Sequence, residues 1–171
     1  MTASQALRAA TAAAHDAVDA AYARFDLTDR AGYAAFLTAH ARILPPVEVA
    51  LAACPALPGF HPRTPVLAAD LAALGLAMPA PMAVSLPHDP AAAWGMFYVV
   101  EGSRLGGVML ARSVAPDLPR AYLAAGHGAG DWRTIRAAID AAATGADWTA
   151  RAVAAAERCF GWYGAAAVTP A

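Results

Sequence analysis

Apolar residues recur along this chain at helical intervals. Leu7, Thr11, Ala14, Val18, Ala21 and Phe25 fall three or four residues apart, the spacing that lines one helix face. Thr2 and Gln5 stand ahead of them in capping-box spacing, so a first helix is expected to about Phe25. A second should begin near Thr28 and stop before Pro45-Pro46, because the residue before a proline is pushed out of the helical region. Thr64-Pro65 opens a third, ending at Gly75, and residues 76–89 are proline-rich and read as a loop. Asp89-Pro90 supplies a cap and a first-turn proline for a long helix to about Arg112. Pro116, Pro119 and the run GHGAGD frame a loop around one short helix. Asp131 is then expected to cap a helix through Ala143, and a last helix should run from about Asp147 to Ala167. No strand-period alternation of useful length and no internal repeat is present. The fold class is all-α, in one domain over residues 1–171.

Composition agrees. The 59% hydrophobic fraction is swollen by alanine, the best helix former. A net charge of −1 offers no electrostatic footprint for nucleic acid or an anionic membrane. All twelve basic residues are arginine. Cys54 and Cys159 form no CxxC pair and fit buried thiols in a reducing compartment. Arg8, His15 and Asp16 interrupt any signal-peptide core, and three prolines break the longest uncharged run, residues 71–88. A cytoplasmic location is expected.

The stretch YVVEGSRLGG, residues 98–107, is out of character for a helix. Each of Gly102, Gly106 and Gly107 costs about 1 kcal/mol against alanine. Gly95, Gly102 and Gly106 share one face by spacing. Two readings fit: close helix–helix packing, or a flat ligand laid against bare backbone. His15, on the first helix, is either a hydrogen-bonded core or boundary residue or an axial ligand of heme iron. Arg8 lies two turns earlier on the same face, either solvated or facing a ligand's carboxylate. His40, His61, His88 and His127 have no zinc-site spacing. Glu101 and Arg104 are spaced as a local helix pair. No nucleophile elbow, paired-carboxylate motif or Rossmann fingerprint is present.

Taken together, LRAATAAAHDAVD (residues 7–19) and YVVEGSRLGG resemble the heme oxygenase family, most closely its bacterial branch, which includes enzymes that accompany bacteriophytochromes. The first stretch is similar to the family's proximal helix and the second to its glycine-kinked distal helix. The resemblance implies His15 as the axial ligand of heme iron, Gly102 and Gly106 as distal backbone against the heme, and Arg8 as a contact to a heme propionate. Arg136 matches a second such contact, with Arg133 as its neighbour, and Phe160 an aromatic of the pocket wall. Ser103 stands where the mammalian-type pattern has an aspartate that organises pocket water. The resemblance further implies heme b as both cofactor and substrate, oxidised with O2 to biliverdin, carbon monoxide and ferrous iron. Electrons would come from an external ferredoxin or reductase, since no flavin or nicotinamide motif exists here, and a phytochrome could accept the biliverdin. The alternative is a heme-binding or heme-trafficking protein on the same fold that does not degrade its ligand.

Overall fold

The computed structural model describes residues 1–169. Among them are nine α-helices and no strand: α1 (Ala3–Ala10), α2 (Ala12–Tyr22), α3 (Arg30–Ala41), α4 (Leu44–Ala52), α5 (Thr64–Ala73), α6 (Pro90–Leu110), α7 (Ala121–Ala124), α8 (Asp131–Ala142) and α9 (Ala146–Val168). None is long and apolar enough to cross a membrane.

The Thr2–Gln5 capping box forms as expected, but the single first helix does not. At Thr11 the backbone leaves helical geometry (φ −90°, ψ 1°), and the Thr11 hydroxyl donates to the Leu7 carbonyl at 2.8 Å. Such back-bonding offers the chain an alternative to the regular ladder, so α1 and α2 meet at a break. The start of α1 is tied down by Asp140 of α8, whose carboxylate accepts from the Ser4 backbone N–H at 2.7 Å and its hydroxyl at 3.1 Å.

Helix α3 stops at Ala41, short of Pro45-Pro46 as expected, but the prolines themselves lie in a further helix. The prolines occupy the first turn of α4, where a missing N–H has no intrahelical acceptor to lose, and the sequence reading had no helix there. Asp131 differs too. It is the first residue of α8 rather than its cap, and its carboxylate turns back to accept from the Gly128 N–H at 2.7 Å. Gly130, at φ 89°, takes the cap position in a left-handed conformation that suits glycine. Asp89 and Pro90 open α6 as expected, and α6 continues as one α-helix through its glycines to Leu110.

The centre of the molecule is the packing of α6 on α9. Ala152, Ala155, Ala156 and Cys159 of α9 are fully buried, as are Met96, Phe97 and Val100 of α6. Small side chains on α9 let the helices approach until a Cβ on Gly95 would run into the Ala152 carbonyl. Helices α1, α2 and α3 also pack on α9, and α8 packs on both α1 and α6. Behind α9 lies an aromatic cluster of Tyr22, Phe36, His40, Tyr122 and Tyr163. His40 Nδ1 lies 2.7 Å from the Tyr122 hydroxyl. Burial, helped by the charge of Arg63, lowers its pKa to about 3, so His40 is a neutral core residue.

Candidate functional site

One face of α6 changes its neighbour along its length. Gly95 meets the α9 backbone, and Gly102 meets the Trp132 ring of α8, 3.4 Å from where a Cβ would stand. At Gly106 a Cβ would find nothing within 4 Å. Leu105 and Met109 share this face by spacing and are 45% and 59% exposed. The helix-packing reading therefore holds for Gly95, and also for Gly107, whose Cβ would stand 3.0 Å from the Leu123 carbonyl. It does not hold for Gly106. There α6 presents bare backbone between exposed apolar side chains, a surface suited to a flat apolar partner.

His15 stands on α2 with its side chain 58% exposed. It is not a core residue; its exposure and its Asp19 neighbour suit either a boundary histidine or a ligand. Its Nδ1 lies 3.2 Å from an Asp19 carboxylate oxygen one turn on, and the Phe160 ring of α9 meets the imidazole edge-on at a centroid distance of 5.6 Å. With Nδ1 turned toward a carboxylate, Nε2 is the ring nitrogen left to face a ligand, the orientation common to metal-bound imidazoles. Both α2 and α6 pack on α9 without substantial packing on each other. His15 and the open part of α6 thus belong to helices that share a floor.

The charges of Arg8 and Arg136 both act on Tyr98, a residue the sequence reading did not single out. Burial pushes the Tyr98 phenol up, against the pull of the Thr11 hydroxyl and of the charges on Arg8 and Arg136. Two arginines from α1 and α8 thus bear on one phenol of α6. The signal was available, since Tyr98 precedes Gly102 by four residues and so lies on the glycine face. Arg133, the neighbour considered with Arg136, is exposed, with one guanidinium nitrogen 3.4 Å from where a Cβ on Gly130 would stand.

Ser103 turns elsewhere. Its hydroxyl donates to the Val100 carbonyl at 2.7 Å and accepts from Arg63 at 2.6 Å. Arg63 is 3% exposed, donates also to the Val100 carbonyl at 2.9 Å, and lies 5.1 Å over the Tyr122 ring. Its Nε has no hydrogen-bond partner, and no carboxylate among the described residues pairs with it. Glu48 instead accepts from the Arg63 and Thr64 backbone N–H groups, at 2.7 and 2.9 Å. Nothing in the sequence around Arg63 beyond a helix start foretold this buried cation.

Glu101 and Arg104 form the expected local helix pair, at 2.9 Å, and the pair is buried. Arg104 also donates to the carbonyls of Ala125 and His61, and His127 Nε2 lies 2.9 Å from the Glu101 carbonyl. This network fastens the α7–α8 loop to α6 beside Trp132.

The site is an open face, not an enclosed cavity. Two hollows lie elsewhere, one bordered by Arg24, Phe25 and Arg42, the other by Met1, Ala6 and Val153, and neither touches His15, Gly102 or Gly106. Among the described residues no three His, Cys, Asp or Glu side chains converge as a protein-only metal centre requires. A lone imidazole serves iron only where a macrocycle supplies other ligands. An exposed imidazole at His15 and a bare apolar helix face at Gly106 are features that a flat metalloporphyrin could use, and the charges acting on Tyr98 suit its carboxylates.

No protein-family model matches the chain. A heme oxygenase of Xanthomonas campestris pv. campestris (strain 8004) is 36% identical over 108 residues, which are 59% of this chain and 64% of that protein. The chain thus spans just under two thirds of that relative's length. Among solved structures, the NO- and CO-bound heme oxygenase from Neisseria meningitidis superposes with a TM-score of 0.83 at 23% identity, over 98% of this chain and 90% of that one. The fold is that of a heme oxygenase.

Proposed function

We propose that this chain is a member of the heme oxygenase family and degrades heme. The observation that carries the reading is the pairing of an exposed, Asp19-oriented His15 with an α6 face left bare at Gly106. Sequence likeness to one heme oxygenase and the shared fold of another support it.

Heme would be the substrate and would also supply the iron at which O2 is activated. His15 would bind that iron through Nε2, with Asp19 holding the imidazole in place and raising its basicity. Arg8, Arg136 and Tyr98 would hold the propionates, because a guanidinium matches a carboxylate with a planar fork. Phe160 would wall the proximal side. Gly106 lets the α6 backbone approach where any side chain would fill the space, while Leu105 and Met109 exclude water around it. Biliverdin, carbon monoxide and ferrous iron would be the products, and an external ferredoxin or reductase would supply electrons.

Binding without degradation is the second reading. It is favoured by Ser103, whose hydroxyl is already engaged by Arg63 and Val100 and so is not free to organise pocket water. One experiment decides. The heme complex is reduced under air while absorbance is followed. Loss of the Soret band with growth of biliverdin absorption is expected; a Soret band that persists through reduction would leave only heme binding.

A further inference from the structure

Gly102 and Gly106 are bare for different neighbours, and the difference bears on how the heme of the proposed reaction would be seated. At Gly102 the neighbour is Trp132, with the far carbon of its six-membered ring 3.4 Å from the Cβ position. Tyr98 flanks the indole at a centroid distance of 5.6 Å, and His127 stacks on it at 6.1 Å with an interplanar angle of 29°. His127 is itself pinned to Glu101, which also takes Arg104. On α8, Ile135 and Ile139 anchor the helix in the core. An indole held by two rings and by the α6 backbone is a fixed plate rather than a lid. Arg136 follows Trp132 by one turn, so the plate and the charge that bears on Tyr98 share a face of α8.

We infer that Trp132 is a positioning residue that closes the α6 face at Gly102 and sets the in-plane rotation of a porphyrin seated on His15. This rests on the heme oxygenase reading. A porphyrin seated there would find open helix backbone at Gly106 and the indole closing the face at Gly102, so the indole would decide which meso carbon comes to lie beside Gly106.

The test is proton NMR of the ferric cyanide complex, whose heme-methyl shifts report in-plane rotation without turnover, alongside chromatography of the biliverdin isomers. Wild type should show one dominant set of methyl resonances. Trp132→Ala should show a second set and a several-fold change in isomer ratio, while Trp132→Phe keeps the wild-type pattern. If the alanine variant does not fold, Trp132→Leu, which preserves bulk but not the flat plate, is read the same way. In the ligand-free chain, Gly102→Leu should lower Tm, and adding Trp132→Ala should remove most of that loss. An unchanged methyl pattern in a folded, heme-bound Trp132→Ala or Trp132→Leu variant overturns the inference and leaves the heme reading standing. Absence of heme binding by wild type overturns both.

Discussion

Arg63 donates a 2.6 Å hydrogen bond to the Ser103 hydroxyl from a position almost closed to solvent. Ser103 thus serves a buried cation that, among the described residues, has no carboxylate of its own. Ser103→Ala removes one acceptor from Arg63 and should cost about 1–3 kcal/mol, the penalty of an under-satisfied buried donor. Urea unfolding measures it. A loss of only a few tenths would mean that the Val100 carbonyl alone satisfies Arg63.

The four glycines of α6 should rank by what surrounds them. Gly106→Ala adds a methyl in open space and should raise stability by about 1 kcal/mol in the ligand-free chain. Gly95→Ala drives a methyl into the Ala152 carbonyl and should lose about 1–3 kcal/mol or more. Gly106→Leu should remain folded yet lose heme turnover. Thermal melts beside turnover assays check the order, and a Gly106→Leu variant that is folded and fully active would falsify the heme-contact role.

His15→Ala should abolish the axial spectrum of the heme complex, with added imidazole restoring it. Asp19→Ala should keep histidine ligation but weaken heme binding by about tenfold, as loss of an orienting partner does at metal-bound imidazoles. Heme titrations of both variants test this, and a native spectrum in His15→Ala removes that residue from the site.

Arg8→Ala and Arg136→Ala should each weaken heme binding or shift the biliverdin isomer ratio. Arg8 is exposed, so its share should stay near the surface-pair range of about 0–1 kcal/mol. The half-buried Arg136 should matter more. Equal affinity and isomer pattern in both variants would make them ordinary surface charges.

Acid should destabilise the chain before its carboxylates protonate. His40 takes up its proton near pH 6.5 when unfolded but only at about 3 when folded. The unfolded state therefore binds more protons between those values, and stability falls as pH drops through them, by up to about 1.4 kcal/mol per unit. Unfolding free energies between pH 7.5 and pH 5 read the slope, and in His40→Phe it should flatten. An equal slope in that variant would assign the effect to other groups.

The sequence by itself determined most of the helices and several of their starts, though not α4, the break at Thr11 or the cap of α8. The Thr2–Gln5 box, the Asp89-Pro90 start and the apolar run of α6 are local signals, set by backbone hydrogen bonds and side-chain spacing within a few residues. It also determined which chemistry-bearing residues occupy the two key helices, His15 and the glycines. Tertiary structure decided what those residues face. The sequence places Gly95, Gly102 and Gly106 on one stripe without saying that α9, Trp132 and open space are their neighbours, because a stripe records periodicity and not the partner. Likewise Glu101 and Arg104 read only as a local helix pair until α7 and its loop bury them. Arg63 looks like a helix start until Ser103 and Tyr122, distant in sequence, close around it. Burial is a property of the whole packed chain, so the charge that it isolates cannot be read from the residues beside it.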